Sequence, residues 1–310
     1  MIKEKDKDVL TAIFLPVSLQ QQSHVRFLTS WSGEVQENAE MVISFGQAYQ
    51  ADGYRVRSFR YINNSDGTIR WIFQTGATRP DFLEFYNTSN LRAHVVKWGI
   101  KTAFHLKQQT RISSGVFHVS SRCDTRMEGG LKELEHDSYS IFTGTEGRNR
   151  SFLVAVKKGD NTTHFIKGMI DQQDSESLTN EFKQIRSVSS WGLLNLKVPQ
   201  VSFENGDLIM TNIRTQNSRQ KGRLTQTHYK HIQQMYEASY SQTEQGSRNF
   251  YNRIRAGLES IVPDPRIDDN LKNLLEVHKD SLGENGPVPM AMLHGDFTPW
   301  NMFVDGKELQ

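Results

Sequence analysis

In the first part of the chain, apolar residues come in short runs. Thr11 to Pro16 predicts a short buried strand, Gly33 to Ala51 a helix, and Arg70-Trp71-Ile72-Phe73 a second strand. From Asn90 to Lys107 the apolar residues Leu91, Val95, Trp98, Ile100 and Phe104 recur at roughly helical intervals, with Asn90 placed to cap the helix. Ser113-Ser114-Gly115 and Ser120-Ser121-Arg122 read as a loop region, and Gly129-Gly130 as a turn or hinge. A domain boundary is predicted near that glycine pair. The residues before it have mixed α and β content and carry no recognisable chemistry.

Beyond it the pattern becomes strand-turn-strand. Ser138 to Thr143, Ser151 to Lys157 and His164 to Ile170 predict three strands, joined by the turns Thr143 to Asn149 and Lys158 to Asn161. A helix follows from about Ser175 to Ser189, capped by Asp174 or Ser175, with Leu178, Phe182 and Ile185 as its apolar stripe. Val201 to Met210 reads as a hairpin with Asn205-Gly206 in its turn. After Gly222 the period is helical. Tyr229, Ile232 and Tyr236 mark one face, Phe250, Ile254 and Leu258 a second helix, and Leu271, Leu274, Leu275 and His278 a third, stopped by Gly283. A strand-rich block followed by a helix-rich block predicts two lobes.

Composition changes this picture little. The 310 residues are enough for two domains, and 37 basic against 35 acidic side chains argue against a dedicated nucleic-acid binder. Cys123 is the single cysteine, so no intramolecular disulfide can form. No stretch has the length of a membrane span, and the charged N-terminus does not read as a secretory signal. The reading is a cytoplasmic chain with no membrane or nucleic-acid partner.

Three features could carry chemistry. Alternation on the third strand of the second block puts Phe165, Lys167 and Met169 on one face. Lys167 either snorkels outward or meets an anion. Glu181 lies beside the apolar stripe of the following helix, where an inward carboxylate needs a partner, and Lys167 is the natural one. The Thr143–Asn149 turn holds Gly144 and Gly147. It is either a simple hairpin turn or a backbone cradle over phosphates. The third feature is His294-Gly295-Asp296-Phe297-Thr298-Pro299-Trp300-Asn301, after the apolar run Pro289 to Leu293. An Asp and an Asn at this spacing suit a loop in which the Asp accepts a hydroxyl proton and the Asn holds a metal ion. The bland alternative is a surface turn rich in Gly, Asp, Thr and Pro. His118, Cys123 and His136 lack metal-ligand spacing, and no G-x-S-x-G elbow is present.

The string from His294 to Asn301 resembles the catalytic loop of the aminoglycoside phosphotransferase and choline kinase-like family, over roughly residues 138 to 310. The resemblance implies an α+β, two-lobed protein-kinase-like fold. Residues 131–216 would be the strand-rich lobe and hinge, residues 217–310 an incomplete helical lobe, and residues 1–130 a separate mixed α/β domain of unknown role. It implies an ATP-dependent kinase of a small-molecule hydroxyl, using Mg²⁺. Asp296 would be the catalytic base and Asn301 a Mg²⁺ ligand. Lys167 would contact the α- and β-phosphates, held by Glu181. Residues Met210 to Thr215, Asn212 among them, would form the hinge that meets adenine. The family's second metal-binding aspartate is expected beyond Gln310, which makes the sequence a fragment on this reading. Asp305, in an Asp-Gly turn, is not that residue.

Two other readings compete. One is a non-catalytic pseudokinase or scaffold that holds nucleotide weakly. The other places a sugar- or methyl-transfer activity in the N-terminal block, which lacks a G-x-G-x-x-G motif or a paired acidic metal motif.

Overall fold

The first apolar run folds as a helix, α1 (Glu4–Phe14), and not as the expected strand. Val9, Leu10, Ile13 and Phe14 fall on one side of a helix and are all buried, whereas strand alternation would have turned half of them to water. The computed structural model describes residues 3–16, 19, 25–28, 39–85, 91–144, 150–170, 175–240, 244–263, 265, 267–279, 290–291 and 302–310.

The segment expected to be helical from Gly33 to Ala51 instead contains strand β2 (Met41–Phe45), which pairs in parallel with β1 (Val25–Leu28). Its run Met41-Val42-Ile43 is buried on both faces, as a central strand requires. Strands β3 (Arg55–Asn63) and β4 (Ile69–Gln74) follow. Strand β5 (Gly115–Ser121) occupies the stretch between the two serine clusters read as loop. The second block supplies β6 (Ser138–Phe142), β7 (Ser151–Lys158), β8 (Asn161–Met169), β9 (Val201–Glu204) and β10 (Asp207–Thr211), as its pattern predicts.

These ten strands form one sheet in the order β1-β2-β5-β3-β4-β6-β7-β8-β10-β9, antiparallel throughout except β1 with β2. The two blocks meet where β4 pairs with β6, with Trp71 opposite Phe142 and Ile72 opposite Ile141. The first block is therefore hydrogen-bonded edge to edge with the second. Gly129 and Gly130, expected in a turn, lie inside a short helix, α4 (Arg126–Leu131). Thr125 and Glu128 cap it reciprocally, which offsets the low helix propensity of the glycines.

Helices cover both faces. On one face α1 and α4 bury Leu10, Ile13, Phe14, Met127 and Leu131 against Phe59, Phe117, Ile141, Phe152 and Ile166. On the other, a 3-10 helix (Asp81–Phe85) and α2 (Leu91–His105) pack Phe82 and Phe104 on Trp71 and Phe73. A short helix, α3 (Gln109–Ile112), follows α2. On that second face α5 (Ser175–Ser190) sets Leu178, Phe182 and Ile185 against Met169, Leu208 and Met210.

The chain divides into two compact units, Met1–Ser190 with Val198–Arg214, and Trp191–Lys197 with Thr215–Gln310. The second unit holds α6 (Gln226–Ser239), α7 (Glu244–Ile261), α8 (Asp269–Lys279) and a small hairpin, β11 (Val304–Asp305) with β12 (Glu308–Leu309). Helix α6 does not bury the face expected for it. Tyr229, Ile232 and Tyr236 are exposed, while His228, His231 and Met235 are buried. The buried imidazoles have partners: His231 reaches the Thr227 and Asn195 carbonyls, and His228 bonds Thr225. Leu271 and Leu274 on α8 are likewise exposed, and Gly283 lies outside the described residues.

Candidate functional site

Strand β8 and helix α5 place the first two candidate residues. Phe165, Lys167 and Met169 share a face of β8: Phe165 meets Phe85 of the 3-10 helix, and Met169 packs with Leu178 of α5. Lys167 between them extends toward α5. Its Nζ lies 2.6 Å from the Glu181 carboxylate. The side chains are 25% and 35% exposed, so the pair sits at the rim of an apolar floor rather than in water or in the core. An ammonium has three N–H donors, and one contact to Glu181 leaves capacity for an anion. Strand β10, whose Leu208 stands opposite Lys167, forms the other side of that floor.

The candidates on β10 and just after it are structurally engaged. Met210 pairs with Phe165 on one side and Val201 on the other. Asn212 donates to the Thr162 carbonyl, and its amide oxygen accepts from the Arg214 backbone and guanidinium. The chain passes from the first compact unit to the second at Arg214–Thr215, at the end of the expected hinge.

Gly144 has φ +71°, and a side chain there would run into the Ser151 backbone. Conformation and close approach therefore require glycine here, whatever the turn lies over. Gly147 lies outside the described residues, as do Asp296, Asn301 and the whole string between His294 and Asn301. The residues after Asn301 are anchored within their own unit. Met302, Val304 and Leu309 form a small core with Leu196 and Leu224. Asp305, the last residue of β11, accepts a hydrogen bond from the Thr215 hydroxyl. Among the described residues no three His, Cys, Asp or Glu side chains cluster as metal ligands would.

Two charged clusters escaped sequence reasoning. Lys157, buried on β7, lies 3.4 Å from Asp81 and 3.2 Å from Glu84, and Arg214 reaches Glu84 at 3.1 Å while covering the Phe165 ring. Burial alone would raise the Glu84 carboxyl, but Lys157 and Arg214 hold it below the usual value of 4.5. On the opposite face Arg126 of α4 forms a bidentate pair with Asp207 of β10, at 3.0 and 2.5 Å, and donates to the Ala12 carbonyl of α1. Their side chains are 7% and 3% exposed. The partners are 81 positions apart in sequence, so no local pattern could pair them.

The chain is thus a mixed α+β protein built on a large, mostly antiparallel sheet. No family model matches it, and neither does any curated protein. Among solved structures it is similar to the aminoglycoside phosphotransferase APH(2'')-IIa in its ternary complex with streptomycin and ATP. The identity is 14% and the TM-score 0.40, over 59% of this chain and 67% of that one. That likeness assigns no residue a role.

Proposed function

We propose that this chain is an ATP-dependent phosphotransferase acting on a hydroxyl of a small molecule of aminoglycoside, sugar or amino-alcohol type. The reading is supported above all by the Lys167–Glu181 pair, set between a strand and the helix after it, in a chain that also carries the His294–Asn301 string. Glu181 holds the ammonium at the sheet surface, and Lys167 places it on the α- and β-phosphates of ATP. Asp296 orients the acceptor hydroxyl and takes its proton as the new O–P bond forms; the bond between the β–γ bridging oxygen and the γ-phosphorus breaks, and ADP leaves. Asn301 would contribute a side-chain oxygen to Mg²⁺, which would supply charge neutralisation on the phosphates when bound. Backbone groups between Met210 and Thr215 face adenine, with Asn212 fixing that segment through Thr162 and Arg214. The Gly144–Gly147 turn lies over the phosphates.

The test uses ADP release with a panel of hydroxyl acceptors, alongside the rise in melting temperature caused by ATP with and without Mg²⁺. Asp296→Asn is expected to lower turnover by about 10²- to 10⁴-fold and leave the ATP-induced rise intact. Turnover equal to the parent's would remove Asp296 as the base. ATP stabilisation without turnover on any acceptor would favour the non-catalytic nucleotide-binding module instead.

A further inference from the structure

Helix α2 is apolar on two sides and buries only one of them. Ala93 is buried, and Phe104 (buried) and Ile100 (half-buried) pack against the 3-10 helix and β4, yet Leu91, Val95 and Trp98 are 82%, 61% and 70% exposed. At 100° per residue these three fall within one narrow outward stripe, with Thr102 continuing it. The Thr102 hydroxyl turns back to the Trp98 carbonyl at 3.0 Å, so it adds its methyl to the stripe and no unsatisfied polar group. Leu106, just past the helix, is exposed as well.

The borders of the stripe are basic. His94, Lys101 and His105 run along one edge and Arg92 along the other, all exposed, and Lys107 and Arg111 come after the helix. No Asp or Glu occurs between Phe85 and Cys123. An apolar ridge containing a tryptophan and flanked by cations on both sides has the chemistry of a helix that lies in a lipid interface.

We propose that the outward face of α2 docks this protein on a membrane surface bearing anionic phospholipids, with Leu91, Val95 and Trp98 entering the headgroup region and Arg92 and Lys101 meeting the phosphates. The absence of a spanning helix among the described residues does not bear on this, because a surface-lying helix needs only one apolar side. A second copy of this chain is a poorer occupant. Two-fold pairing of the same face would bring the edges carrying Arg92 and Lys101 in one copy against the same edges of the other, with no acid in the segment to offset them. A lipid surface also accepts a convex ridge without a matching groove.

Flotation of the full chain with vesicles separates the outcomes. The protein is expected to float with phosphatidylcholine–phosphatidylglycerol vesicles, to do so less at high salt, and to stay behind with phosphatidylcholine alone. Trp98→Glu should weaken the association at least about tenfold with little change in melting temperature, since the side chain is exposed. The double variant Arg92→Glu/Lys101→Glu changes only exposed charges and should lose the preference for anionic vesicles. Absence of flotation with either vesicle would overturn the proposal, as would equal flotation of Trp98→Glu and its parent. A parent dimer in light scattering that Trp98→Glu disperses would reassign the face to a second copy of the chain.

Discussion

Lys167 illustrates how far one residue can be read from its neighbours. Alternation between Phe165 and Met169 fixed its face, and the helical offset of Glu181 from Leu178 and Ile185 turned a carboxylate toward it; the 2.6 Å contact results from these two local rules. Both side chains remain partly exposed, so the pair contributes little to stability. Lys167→Ala should therefore shift unfolding by less than about 1 kcal/mol in urea while abolishing the ATP-induced rise in melting temperature. A retained rise would separate Lys167 from the nucleotide. Asp6 is the opposite case. Its carboxylate accepts the Ile69 N–H at 2.9 Å, and burial pushes its pKa upward, but the partner is 63 positions away and invisible to any local pattern. Asp207, paired with Arg126, is hidden in the same way.

Elements were legible where turn chemistry and periodicity agreed. The β9–β10 hairpin is marked by Asn205-Gly206, and both residues have positive φ, +51° and +81°. Gly206→Val should destabilise the chain by about 1 to 2 kcal/mol, because an L side chain opposes the left-handed conformation there. Equal urea midpoints for variant and parent would show that the turn can change type without cost. Where the local signal was ambiguous, tertiary contacts chose. Leu10 to Phe14 suits either a strand or a helix by hydrophobicity, and the face presented to Phe59 and Phe117 selected the helix. Met41-Val42-Ile43 became a strand once β1 and β5 were there to pair with it. Helix α6 existed as expected but rotated, because His231 found carbonyl partners and His228 a partner in Thr225, which sequence alone does not display.

At the scale of the molecule, the block before Gly129 and the strand-rich block after it share one sheet and one core, tied by β4–β6 pairing, by Arg126–Asp207 and by the Lys157, Asp81, Glu84 and Arg214 cluster. That cluster gives folding a pH signature. Glu84 has its folded pKa depressed below 4.5, so its stabilising contribution is complete above that value and is lost as pH falls through the folded pKa. Glu84→Gln should thus be less stable than the parent near neutrality, with the difference shrinking as the pH falls below 4.5 and through the depressed folded pKa. Thermal melts that run parallel over that range would show that Glu84 does not carry the acid sensitivity.

The sequence by itself determined the strand-turn-strand order of the second block, the helix carrying Glu181, the tight turns and the His294–Asn301 string, because each depends on residues a few positions apart. Only the tertiary structure decided that the first block extends the same sheet, that α1 is helical, which side of α2 and α6 faces inward, and which acids meet Lys157 and Arg126. Those outcomes depend on contacts between distant segments, and no local spacing encodes which apolar face or buried charge will find its partner.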